Sequence, residues 1–338
     1  MATYLGYNFD PELFLLNWQA AVDPTLTALY DSGAVQANGT IQSLIANGSD
    51  LYTIPFYNVL SGTAQNYDGA TTITPNTTSG SAQSGIVYGR AAAWKESQFV
   101  RDYNSGADPM AQITAQTAKY YQKLRQSIML KVLSGVFGVS NTEWNKHTMN
   151  IATTGSTVAD ANKVGAASAA ECVQKAVGDN AGIFSTAVMH SAVALSLAKE
   201  NLLSFRKYTD AQGIERQLNL ADWNGMTVVV DDGVPTKTSS SASGATEYTT
   251  YLFGTGALQY AKAPVEVPVE TVRDALTNGG ENVLVTRVRE TIHPNGFSFA
   301  KPSGYAGSPT DAHLAAAANW SMVGDAKNIA IARLITNG

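Results

Sequence analysis

The stretch DPMAQITAQTAKYYQKLRQSIMLKVLSGVFG, residues 108–138, is the one segment long and periodic enough to form a stiff rod. Asp108 can cap a helix N-terminus with its carboxylate, and Pro109 suits the first helical position, where no backbone N–H is lost. Met110, Ile113, Thr117, Tyr121, Leu124, Ile128 and Val132 recur at steps of three and four and so line one helical face. Gln112, Gln116, Lys119, Lys123 and Gln126 fall mainly on the other side. Gly135 and Gly138 supply a stop signal, so the spacing predicts a helix over 109–134, roughly 39 Å long at 1.5 Å per residue.

Around that rod lies a chain of 338 residues, enough for two domains or one large elaborated one. Hydrophobic residues make up 44% and charged residues only 14%, which marks a folded protein whose low charge fits either coverage by partners or an uncharged surface rich in Ser, Thr, Gln and Asn. The net charge of -5 is unevenly placed: residues 1–94 hold six acids, one base (Arg90) and no lysine. Nothing resembles the basic stripe of a sequence-specific nucleic-acid binder. The single cysteine, Cys172, excludes an intramolecular disulfide framework and fits a reducing compartment. No charged-then-apolar leader and no apolar run of about 18 residues occurs, so neither secretion nor a membrane span is expected.

In chain order, Asp10-Pro11-Glu12 opens a short helix with Leu13, Phe14 and Trp18, and Asp23-Pro24 breaks it; Leu26, Leu29 and Tyr30 suggest a further helical turn. The first fifth of the chain reads as an extended arm punctuated by Asn38-Gly39 and Asn47-Gly48. Residues 51–60 and 86–88 are strand formers flanking a Ser/Thr/Gly tip with almost no apolar surface, a pattern for a long projecting hairpin. After the rod, 141–163 is loop-like. Helices are expected at 166–178 and 191–203, and strands at 186–190, 226–230, 248–253, 265–272, 283–292 and 329–335. The whole is an α+β pattern without the regular rhythm of a nucleotide-binding sheet.

Chemistry-bearing motifs are sparse. There is no Walker phosphate loop, no nucleophile elbow and no His-Glu-X-X-His zinc motif, so no cofactor or metal is expected. Gly254-Thr255-Gly256 lacks the third glycine of a dinucleotide fingerprint and reads as a turn. His147, His190, His293 and His313 have no ligand-spaced neighbours; His190, ending an apolar strand, reads as a core imidazole. Asp231-Asp232 at a strand end either holds a cation or catalytic water or simply caps a turn. A soluble α+β enzyme using Asp231, Asp232 or His190 is thus one reading of the chain. Cys172, on an Ala-rich segment, reads as a small core residue.

The order of pieces supports another. The run from Trp94-Lys95-Glu96 through Asp108-Pro109 to Gly135-Val136-Phe137-Gly138, followed by Val188-Met189-His190-Ser191, Trp223 to Asp232, Thr250 to Gly254 and His293-Pro294-Asn295-Gly296-Phe297, resembles the major capsid proteins of tailed bacteriophages. The resemblance implies the Hong-Kong-97-like capsid fold: an N-terminal arm (1–50), an extended loop over a neighbouring subunit (51–92), a peripheral domain (93–165 and 270–312) holding the spine helix 109–134, and an axial domain (166–269 and 313–338) tipped by the Ser-rich loop at 239–244. It further implies a non-enzymatic subunit that self-assembles as hexamers and pentamers into an icosahedral head enclosing double-stranded DNA. Its expected partners are a separate scaffolding protein, a portal and, where present, a decoration protein, with packaged DNA touched weakly and assembly in the host cytoplasm. A bacterial nanocompartment shell of the same fold is the alternative. Trp18, Tyr57, Tyr67, Tyr88, Arg90 and Trp94 are the candidate subunit contacts. Some relatives weld neighbours by an isopeptide bond from a lysine on the extended loop; no lysine precedes Lys95 here, so a non-covalent shell is expected.

Overall fold

The computed structural model describes residues 3–4, 7–8, 34–58, 60, 62–70, 72–97, 109–155, 157–209, 215–238, 244–277 and 279–338. The expected helices at 10–30, Trp18 and the capping of the rod by Asp108 lie outside these residues, as does most of the Ser-rich loop at 239–244. Strands β1 (Thr3–Tyr4) and β2 (Tyr7–Asn8) pair antiparallel. β3 (Val35–Ala37) leads into α1 (Gly39–Ile45). Asn38 Oδ1 accepts from the backbone N–H groups of Thr40 and Ile41 at 2.9 and 3.2 Å, so Asn38-Gly39 is a helix cap where the sequence suggested only punctuation. β4 (Leu51–Tyr57) and β5 (Gly80–Ile86) form the expected hairpin, in register from Leu51↔Ile86 to Tyr57↔Gly80. β6 (Tyr88–Ser97) then joins a different sheet.

The rod is α2 (Pro109–Phe137), 29 residues that begin at the expected proline, pass the expected end at 134 and stop directly before Gly138. Gly135 therefore does not end the helix. A Cβ there would strike the Leu314 carbonyl and lie 2.7 Å from Trp320 Nε1, so glycine is needed for close approach.

An eight-stranded sheet contains β7 (Thr148–Asn150), β8 (Phe184–Met189), β9 (Ser204–Thr209), β10 (Glu215–Trp223), β11 (Met226–Val230), β12 (Thr236–Thr238), β13 (Thr246–Gly254) and, from the chain's end, β19 (Ile331–Thr336). Its order is β7-β19-β13-β8-β11-β10-β9, with β12 also paired to β13. α3 (Ser168–Val177) and α4 (Ser191–Lys199) bury Cys172, Val173, Val177, Val193 and Leu197 in one cluster with Met189, Trp223, Leu252 and Leu334.

The second sheet is organised on β16 (Glu281–Pro294), 14 residues long. β6 runs along one side from Ser97↔Glu281 to Tyr88↔Glu290. β14 (Leu258–Ala263) and β15 (Val269–Asp274) share the other side, and β3 lies parallel on β14. β14 has no counterpart among the expected strands; it falls within the expected axial segment 166–269 yet pairs here. The strand expected from 265 starts only at Val269, because Pro264 and Pro268 cannot donate to a ladder. α2 is pinned across this sheet: Tyr121 OH lies 2.8 Å from Thr286 Oγ1, and one turn on Arg125 donates twice to the Glu290 carboxylate at 2.8 and 2.7 Å. Glu290 also accepts from Tyr260 OH at 2.9 Å.

The last turns of α2 enter the region between the two sheets. Phe137 stacks between Trp144 and Tyr251, and Trp144 stacks in turn on His147 and meets Phe297 edge-on. β17 (Phe297–Phe299), α5 (Asp311–Ala315) and β18 (Trp320–Met322) close over the helix, with Trp320 Nε1 donating to Leu314 O at 2.8 Å. Gly135→Ala should lower subunit stability by about 1–3 kcal/mol, read as an earlier urea midpoint. Gly39→Ala, where an added methyl meets open space, should leave the midpoint within about 0.5 kcal/mol of the parent. Equal midpoints for Gly135→Ala and the parent would refute the close-approach account.

Candidate assembly surfaces

The projecting hairpin divides into a root and a tip. At the root, the Tyr52 ring covers Gly85, its cross-strand partner, so closely that a Cβ could not be added there. Tyr52 OH lies 3.2 Å from Thr291 Oγ1, whose hydroxyl also donates to Ile86 O at 2.8 Å. Ser84 N–H donates to Ser298 Oγ at 3.0 Å, Gly296 N–H to Gln83 Oε1 at 3.3 Å, and Lys301 pairs with Asp50 at 2.8 Å. These bonds fasten both hairpin strands to residues some two hundred positions later, a link with no local sequence signal.

Beyond Tyr57 the support is sparse. Asn58 holds Ser79 through backbone and side-chain bonds of 3.0 Å, and Gln65 clasps Thr74 with both halves of its amide at 2.9 Å. No strand occurs among the described residues of 58–79. The tip is less polar than expected: Tyr57 is 88% exposed and Tyr67 89%, with Leu60 and Ile73 also open.

The other expected contacts distribute differently. Tyr88, 2% exposed, packs in the subunit's own core. β6 sets it against Glu290 in the register, which turns it inward. Arg90 is held by Asp311 at 2.6 Å and by the carbonyls of Gly89 and Pro309. Trp94 is half-buried, edge-on to Tyr120 at 5.4 Å. Lys95 pairs with Glu281 at 3.0 Å and is tied to its own subunit.

The residues proposed for enzyme chemistry act as caps. His190 is not a core imidazole: its Nδ1 accepts from Ala192 N–H at 3.1 Å and caps α4. Asp231 accepts from Gly233 N–H at 2.8 Å and from the Gln126 amide; Asp232 accepts from Ser191 N–H at 3.0 Å. Hydrogen bonds from Ser191 hold the Asp232 carboxyl below its ordinary value. His190 and Asp232 approach to 3.6 Å at a strand–turn–helix junction whose bonds are those a turn requires. Among the described residues no three His, Cys, Asp or Glu side chains converge as metal ligands. Cys172 is fully buried, and burial pushes its thiol up to about 12.

His293 sits beneath the hairpin root, edge-on to Tyr52 and tilted on Trp320, with Nε2 2.7 Å from Phe297 O. Burial lowers its pKa to about 4. His147 is lowered in the same direction by burial.

No family model matches the chain. Its fold is similar to the capsid of Ralstonia phage GP4, with a TM-score of 0.58 at 11% identity over 92% of this chain and 88% of that one. It is also similar to the capsid of cyanophage Pam1, with a TM-score of 0.54 at 10% identity over 88% and 87% of the two chains. In sequence it is 31% identical over 308 residues to the major capsid protein of Bacillus phage SPP1, which covers 90% of each chain. The chain therefore belongs to the major capsid proteins of tailed bacteriophages. It has the Hong-Kong-97-like fold, and its role is structural, as the self-assembling shell of the virion.

Because the folded His293 takes up its proton only near pH 4 while the unfolded residue does so near 6.5, stability present above about 6.5 should be lost as pH falls toward about 4. That residue alone should account for about 3 kcal/mol. Carbon-13 shifts of the ring should give a midpoint near 4, and one near 6.5 would contradict its burial as a neutral donor.

Proposed function

We propose that the chain builds the phage head as hexamers and pentamers in which the hairpin of one subunit lies over its neighbour, without a covalent weld. The observation that carries this reading is the contrast between a root bonded to its own subunit and a tip presenting Tyr57, Leu60, Tyr67 and Ile73 to solvent. Covering each of these side chains with a second subunit would contribute about 1.5–3 kcal/mol, summed over every copy in the shell. Trp18 is a further contact in the N-terminal arm, 1–50. The extended loop is 51–92, of which the hairpin 51–86 is the projecting part. The peripheral domain is 93–165 and 270–312, with α2 and β16, and the axial domain is 166–269 and 313–338, with most of the eight-stranded sheet, at capsomer centres.

A separate scaffolding protein, a portal and an optional decoration protein are the partners this reading assigns, with assembly in the host cytoplasm. Packaged double-stranded DNA is touched weakly and without base recognition, in keeping with a net charge of -5 per chain.

Hydrogen exchange at 58–79 should be fast in free subunits and slow by at least about tenfold in shells. Equal rates in both states would defeat the arm-over-neighbour reading. The absence of a weld follows from chemistry: no lysine precedes Lys95, Lys95 is engaged by Glu281, and Cys172 is buried. Heads boiled in detergent should run as a single band near 35.7 kDa. A ladder of higher species surviving reductant would mean that another residue pair performs the weld.

A further inference from the structure

The 34 residues between Asp108 and Glu143 hold four bases and no acid, while no other interval between successive acids of the chain holds more than two bases. The structure sorts these four into two uses. Arg125 turns toward the sheet and is neutralised by Glu290. Lys119, Lys123 and Lys131 are exposed, on the same side of α2 as Gln116, Tyr120, Ser127 and Ser134. At 1.5 Å rise and 3.6 residues per turn, the three lysines span about 18 Å along the axis and about 120° around it. None has an ion-pair partner among the described residues. Besides Glu290, which is taken up by Arg125, Asp231 meets the helix at Gln126, beside the stripe, and is occupied by the Gln126 amide and Gly233 N–H.

We propose that this face of α2 fronts the packaged nucleic acid and that Lys119, Lys123 and Lys131 take its phosphates. The proposal rests on the reading that the shell encloses double-stranded DNA. An acidic protein is the weaker match, because Tyr120 is the sole large apolar side chain on the strip, and protein interfaces are anchored by clusters of such groups. Phosphate asks only for cations and hydrogen-bond donors, which lysine, glutamine and serine provide. Elsewhere the chain carries more acids than bases, so its field directs a polyanion toward this strip. Three charges per copy make each contact weak and salt-sensitive, so a genome can shift along the wall while remaining attracted to it everywhere.

The test is acetylation of lysine amines in intact filled heads and in heads emptied of DNA. Lys119, Lys123 and Lys131 should react several-fold more slowly in filled heads, with the difference shrinking as salt rises from about 50 to about 200 mM. Exposed Lys237 and Lys327 should react alike in both. Equal reactivity of the three lysines in filled and emptied heads overturns the proposal. Protection that persists after emptying also overturns it, and assigns the face to another subunit or an acidic protein. In solution, parent subunits should bind a short fluorescent duplex with a log–log salt slope of about -2.7, and Lys119→Gln/Lys123→Gln/Lys131→Gln subunits with a slope near zero. A parent without salt-dependent binding, or a variant that keeps its slope, refutes the assignment. If purified heads contain no nuclease-resistant DNA, the enclosing premise fails by itself, whatever the lysine reactivities.

Discussion

The passage of the last turns of α2 between the two sheets is the constraint on which the remaining architecture depends. Gly135 lets the helix backbone come against the Leu314 carbonyl and the Trp320 indole, and Phe137 is thereby delivered between Trp144 and Tyr251. One cluster then holds side chains from both sheets, including Val188 and Phe253 from the eight-stranded sheet and Leu258, Tyr260 and Ile292 from the other. Aromatic side chains of this size bury on the order of 150–250 Å² each, so a shift of the helix would uncover a large part of the core at once. The two sheets are consequently not free to drift as separately cored units. A shell protein benefits directly, since the positions of its contact surfaces are set by the same packing that makes it stable.

The polar pins serve a complementary purpose. Tyr121 and Arg125 fix where along the sheet the helix lies, because Thr286 and Glu290 are four residues apart on β16 and face the same way. Glu290 is nearly fully buried, and its carboxylate is accommodated only because Arg125 and Tyr260 both donate to it. Apolar packing would tolerate a sliding register; a buried carboxylate with dedicated donors does not.

Much of this was legible before the structure. Pro109 and the three-and-four spacing marked α2, and the Ser/Thr/Gly tip between two apolar runs marked the hairpin. What failed, failed for identifiable reasons. A glycine near a helix end signals either a stop or a close approach, and only the neighbour at Leu314 and Trp320 decides between them for Gly135. Tyr88 directly follows the hairpin in sequence, yet its register partner is Glu290 on β16 and its ring is buried in the core. β14 is short and lies between the Gly254-Thr255-Gly256 turn and Pro264, and its partners β16 and β3 lie outside any local window. His190 ended an apolar strand as expected, but its exposure and its role as a cap depend on where α4 begins. The basic strip on α2 carries no local motif, because its signal is missing acids, not clustered lysines, and only burial distinguishes Arg125 from the three lysines around it.

The anchoring of the hairpin also determines how it would carry mechanical load. β4 and β5 are both fastened at the same end, so a pull on the tip is shared between two strands in tension, and the seven cross-strand pairs between them need not open. On one side the load enters the body at Asp50 and its bond to Lys301. On the other it passes from Ile86 through Val87 into β6, whose ladder on β16 meets it as a block instead of pair by pair. In the proposed arrangement, such a tether would be strongest where it joins its own subunit, through bonded strands, and weaker where its tip lies over the next. Under internal pressure the neighbour contact would therefore slip before the root tore, and a subunit released from the wall would keep its arm intact for another attempt at docking.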